Sequence, residues 1–361
     1  MSSPPRGCAG AAGWLAALAA LAAGAALAGA GRLPAAEPPR EDRPAISPDS
    51  ALALAEAYKR PGTYPVEAVR YDWFDADRQR PVLAKVYYPR HGSGPFPVIV
   101  VSPGLGASRE GYEYLGRHWA SHGYVAVHVQ HAGSDSAALA GKSDPQAAIQ
   151  QIVQDARIPI GRVLDIYFAL DQVAALQGGP GPLQGRLDLK SMAVAGHHFG
   201  AWTALFVAGM GVLGQDREET SMPDPRIKAA LVMALPLPQQ KEARRFTFEQ
   251  VKVPCLHMAG TREEGGGAGQ PAERRLAYAR ISGVDQYLLT LDAADSQVFA
   301  GRWLGLTDAE KDPFYQEHVK AASTAFWDAY LRHDAAARAW LAGGGLAAAL
   351  GAAGRVEVKL R

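Results

Sequence analysis

The chain has 361 residues, 48% of them hydrophobic and 20% charged, with a formal net charge of +1 at pH 7. This is the composition of a globular protein with ample core, and it excludes a fibrous or disordered chain. With almost no net charge and no Lys/Arg-rich run, the sequence gives no sign of nucleic acid or an anionic membrane surface as a partner.

Residues 1–30 read as a signal peptide. Arg6 supplies a positive start, residues 15–27 form an Ala/Leu run short for a bilayer span, and Ala28-Gly29-Ala30 fits a small-residue cleavage site. The expectation is a periplasmic or secreted protein of bacterial type with no integral membrane span after cleavage. Residues 31–50, rich in Pro and Ala, read as a linker, and residues 51–361 as one domain. Cleavage leaves Cys255 as the only cysteine, so no intrachain disulfide forms; in its strand-like run it reads as a buried, inert thiol.

From residue 51 onward, apolar runs alternate with helical segments. Residues 97–102, 124–129, 191–195, 227–233, 253–258 and 285–291 read as strands, and continuous apolar runs imply strands covered on both faces. Residues 111–122, 144–176, 199–210 and 317–332 read as helices, and residues 334–361 as a helix with a loose end. Strand–helix alternation predicts an α/β protein with a mostly parallel sheet and helices on both faces.

The stretch carrying chemistry is Gly196-His197-His198-Phe199-Gly200, which follows an apolar strand and opens a helix. That is the layout of a nucleophile elbow, a strained turn that lifts its central side chain above the sheet. Gly196 and Gly200 flank the turn where a larger side chain would clash.

These residues resemble the elbow of the bacterial platelet-activating-factor acetylhydrolase and dienelactone-hydrolase-like esterases, within the α/β-hydrolase fold. The resemblance runs from about residue 60 to 345. Residues 102–109, followed by 119–124, are similar to the family's oxyanion loop and next helix, although Pro103-Gly104 stands where His-Gly is usual. Residues 224–230, 260–264 and 285–291 look like its later strands and turns.

The resemblance implies an α/β-hydrolase fold and a lipid or small acyl ester as substrate, with no metal or cofactor. Transferred residue by residue, the nucleophile falls on His198, the acid on Glu263 with Glu264 as second choice, and the base on Ser296. The implied oxyanion donors are the backbone N–H groups of Leu105 and Phe199. Serine and histidine have thus changed places. Three readings stay open: loss of esterase activity, a transposed Ser296–His198 pair, and direct attack by the His198 imidazole. A non-catalytic lipid or small-molecule binding protein is the alternative from another class.

Lesser features read as structural. His197 packs beneath the elbow, and His128 and His131 are satisfied polar residues. Residues 265–269 form a Gly-rich rim loop without the lysine of a phosphate-binding loop. Trp202, with Phe199 and Leu105, reads equally as pocket floor or core. No heptad or exposed apolar stripe indicates an oligomeric state.

Overall fold

The computed structural model describes residues 47–214, 217–236, 245–262, 275–301 and 312–361. Helix α1 (Pro48–Lys59) starts inside the stretch read as linker, because the Ser47 side chain accepts from Ser50 N–H and proline occupies its first turn. Strands β1 (Val66–Asp75), β2 (Arg80–Pro89), β3 (Phe96–Ser102) and β4 (Val125–His131) follow, with α2 (Glu113–Ser121) between the last two. Then come α3 (Pro145–Gln154), α4 (Arg157–Gly178), β5 (Leu187–His197) and α5 (Phe199–Ala208). The second half holds β6 (Gly211–Leu213), β7 (Glu219–Ser221), β8 (Ile227–Met233), β9 (Phe246–Thr247), β10 (Cys255–Gly260) and β11 (Gln286–Leu291). It ends with α6 (Asp312–Leu331), α7 (Ala335–Ala342), α8 (Gly345–Leu350) and β12 (Gly354–Lys359).

Nine strands form one sheet in the order β1-β2-β4-β3-β5-β8-β10-β11-β12, with β4 through β11 parallel and antiparallel strands at the margins. Strands β6, β7 and β9 make a separate small sheet. The predicted two-sided burial holds: all seven residues of β3 are buried, with Ile99 and Val101 in the core on one face and Val98 and Val100 in the core on the other. Helices α1, α2 and α6 cover the first face, α4 and α5 the second. This is the α/β-hydrolase fold.

Each of the six expected strands is present, and the structure corrects two other expectations. The helix expected over 144–176 is two helices broken at Asp155, whose side chain accepts the Arg157 N–H at 3.0 Å. The tail is not loose: residues 354–359 alternate in type, pair antiparallel with β11, and Arg361 N–H closes on Asp285 Oδ1 at 2.8 Å. Cys255 is buried, and burial pushes its thiol up to about 12, so it is inert as expected.

Strand β3 lies between β4 and β5, so the chain reverses direction of travel across the sheet at this point. The loops after β3 and β5 therefore diverge from adjacent strand ends, which is where open α/β sheets form their ligand crevice. Among the described residues, no helix is long and apolar enough to cross a membrane.

Candidate active site

Strand β5 delivers His197 at its last position, and α5 begins two residues later. His198 takes φ 51° and ψ −117°, a left-handed conformation that a non-glycine residue adopts only under constraint. Its amide donates to Met233 O of β8 at 2.9 Å, and its carbonyl accepts from Ala201 N at 2.9 Å. The side chain is exposed above the sheet.

Close packing explains the flanking glycines. A Cβ on Gly196 would strike the carbonyl of Gly200, and one on Gly200 would strike the carbonyls of Ser102 and Pro103. The first turn of α5 therefore rests directly on the loop that follows β3. In that loop Gly104 N–H donates to Tyr112 Oη at 2.9 Å and Gly106 N–H to Ser134 O at 2.7 Å. Leu105 lies between these two tied amides, half-buried.

His197 links this loop to the one carrying Ser296. Tyr112 Oη, already an acceptor for Gly104, donates to His197 Nδ1 at 2.8 Å, which leaves the proton on Nε2 to donate to Ser296 O at 2.9 Å. Burial, with the neighbouring His198, pushes His197 down to about 3, so the ring is neutral. His197 is a structural residue, as expected.

Ser296 opens a 3-10 turn (Ser296–Phe299), half-buried, with the Asp295 side chain accepting from Gln297 N–H at 2.9 Å. Glu263 and Glu264 lie outside the described residues, as do residues 265–269. Their neighbour Arg262 donates its N–H to Ala294 O at 2.9 Å and pairs with Asp295 at 3.6 Å. The loop ends after β10 and β11 thus meet beside Ser296. The structure brings the elbow, the Leu105 loop and the Ser296 turn together at one end of the sheet.

A second polar cluster lies beneath them. His131 Nδ1 contacts Asp165 Oδ2 at 2.9 Å and His131 Nε2 contacts Ser102 Oγ at 3.0 Å; all three side chains are 0% exposed. Burial and the charge of Arg162 lower His131 to about 4, so it is neutral, donating to Asp165 and accepting from Ser102. Burial alone would raise the Asp165 carboxyl, but hydrogen bonds from His131 and Arg80 outweigh it and hold the group at about 2. The connectivity is that of a hydrolytic Ser-His-Asp triad. A hydroxyl without accessible surface cannot meet a substrate, so this cluster is structural. Arg162 completes it, donating to Ser134 Oγ at 2.8 Å, to Ser102 Oγ and Thr203 Oγ1 at 3.2 Å each, and to Pro103 O.

The expectation for the remaining histidine holds in part. His128 Nδ1 contacts Gly111 O at 2.9 Å, while its Nε2 has no partner among the described residues. Trp202, half-buried on α5, packs against the core and stacks on Phe246 with ring centroids 4.7 Å apart. Tyr112, Arg162 and Asp165 escaped the sequence reading. The available signal was Arg162 and Asp165 standing three apart among the apolar positions Val163, Ile166, Leu170 and Val173.

Among the described residues, no group of three or more His, Cys, Asp or Glu side chains converges as a metal site. The sequence profile of platelet-activating factor acetylhydrolase, isoform II, matches residues 80–166, from β2 through the Leu105 loop into α4. Platelet-activating factor acetylhydrolase of Cavia porcellus is 26% identical over 159 residues, 34% of each chain. The match thus spans about a third of that relative's length. The chain has the α/β-hydrolase fold and resembles the platelet-activating-factor acetylhydrolase esterases, a family of lipid and ester hydrolases.

Proposed function

We propose that this chain is an exported relative of the carboxylic-ester hydrolases that receives a lipid or small acyl ester above β3 and β5 and hydrolyses it poorly. One observation carries the reading: the strained, exposed position at the head of α5 holds His198, not serine. Acyl transfer in this fold begins with a hydroxyl raised on that turn and deprotonated by a histidine from a later loop. The backbone N–H groups of Leu105 and Phe199 are the donors proposed to face the developing oxyanion. With imidazole at the turn, they point at a centre without its usual nucleophile.

A second reading is favoured by the His197–Ser296 hydrogen bond of 2.9 Å, which holds the Ser296 backbone one residue from His198. In a transposed pair, Ser296 Oγ attacks the ester carbonyl while His198 takes its proton. The proton then passes to the leaving alkoxide as the C–O bond breaks, and water clears the acyl-serine. The displaced attack costs roughly 10²–10³ for each oxyanion donor lost. Either reading gives weak turnover.

Hydrolysis of a short-chain aryl ester by the purified chain, His198→Ala and Ser296→Ala tests both. Rates far below a serine esterase that fall in both variants support the transposed pair. A loss confined to His198→Ala points to direct imidazole attack. Background rates in all three leave a binding protein that keeps the pocket as a receptor. Sequencing the N-terminus of the secreted form tests export, with a start near residue 31 expected.

A further inference from the structure

Arg162 spans the two halves of the site. On the loop side its guanidinium donates to Pro103 O, Ser102 Oγ and Ser134 Oγ, and Ser134 O in turn receives the Gly106 N–H. On the helix side it donates to Thr203 Oγ1 and lies 4.8 Å from the ring centroid of Phe199. Pro103 and Gly106 bracket Leu105, and Phe199 is the first residue of α5. One planar fork therefore fixes the spacing between the Leu105 and Phe199 amides.

The same guanidinium is 1% exposed, and each of these contacts is with a neutral oxygen or an aromatic face. The acid on the same helix, Asp165, is already engaged by Arg78, Arg80 and His131. Burial pushes the Arg162 guanidinium down to about 9, with the charge of Asp165 opposing the shift, so it is charged at neutral pH. Its field acts through protein, where charges are far less screened than in water.

Resting on the reading of Leu105 and Phe199 as oxyanion donors, we propose that Arg162 is the positioning residue that holds these amides in register and makes the pocket select anions. A short-chain carboxylate then binds in preference to its neutral amide.

Calorimetric titration of the purified chain with hexanoate and hexanamide tests this. The wild-type chain should prefer hexanoate by about 10-fold, the ratio that about 1.4 kcal/mol gives. Arg162→Met should reduce that preference to near unity. General damage to the pocket weakens both ligands alike, so the ratio separates positioning from mere structure. Thr203→Val, nearly isosteric, removes one contact and should narrow the preference by about 3-fold with a modest fall in Tm; it carries the test if Arg162→Met does not fold. A wild-type chain without preference overturns the donor reading and this inference with it. A preference that persists unchanged in the folded Arg162→Met chain, or in Thr203→Val where the first does not fold, overturns the inference alone.

Discussion

His197 Nε2 donates to the backbone carbonyl of Ser296 at 2.9 Å, across 99 residues of sequence. The histidine before the elbow position thereby holds the turn whose serine stands where the resemblance expects a base. Because Nδ1 of the same ring takes the hydrogen bond of Tyr112, and Tyr112 takes that of Gly104, three loops share one chain of hydrogen bonds. The links of this frame are Gly104, Tyr112, His197 and Ser296, on either side of position 198.

Tyr112→Phe should therefore act on the frame. It strands the buried Gly104 N–H and His197 Nδ1 together, and leaving buried polar groups unpaired costs about 1–3 kcal/mol each. Urea unfolding should show a stability loss of about 2–6 kcal/mol, with the denaturant slope unchanged. A loss below about 0.5 kcal/mol would mean that water or a shifted loop replaces the hydroxyl.

Gly196→Ala and Gly200→Ala should each prevent the elbow from closing, because the added Cβ meets backbone carbonyls that cannot swing aside. A loss of more than about 3 kcal/mol, or no soluble protein, is expected. Gly178→Ala, at the end of α4 with open space around it, serves as the control and should be neutral or stabilising by up to about 1 kcal/mol. Equal behaviour of the three variants would contradict the packing of α5 on the Leu105 loop.

Asp165→Asn should cost about 3–5 kcal/mol, since Arg78 and Arg80 both lose their shared carboxylate in a buried setting. Differential scanning calorimetry on the purified variant measures this. A Tm unchanged from the wild-type chain would show that the cluster beneath the site contributes nothing to stability.

Acid should destabilise the protein before its carboxylates titrate. Burial lowers His128, His131 and His257 to about 4, and His118 and His197 to about 3, from an ordinary 6.5. A depressed folded value means the stabilisation is fully present above pH 6.5 and is lost as pH falls towards 4. Each such histidine contributes a slope of up to about 1.4 kcal/mol per pH unit. Urea midpoints measured from pH 7.5 to 4.5 should fall continuously below 6.5, and a flat profile would contradict neutral burial of these rings.

The fold was legible because β3, β5, β8, β10 and β11 are continuous apolar runs, and such runs mark strands covered on both faces. Strands β1 and β12 were harder to see: they lie at the sheet margins, and their half-exposed alternation is a weaker signal than full burial. At the site, the elbow was legible because its glycines answer to local backbone clashes. The Tyr112–His197–Ser296 chain and the Arg162 fork were not, since each joins residues far apart in sequence through side chains that hydropathy alone scores as polar surface.

The double variant His198→Ser with Ser296→His tests the roles of residues 198 and 296 most directly. Restoring serine to the strained turn and histidine to the facing loop should raise short-chain aryl ester hydrolysis by at least about 10³-fold over the wild-type chain, with the acyl-serine accumulating in a burst. A folded double variant no more active than the wild-type chain would contradict the claim that this is an esterase frame disabled by that exchange.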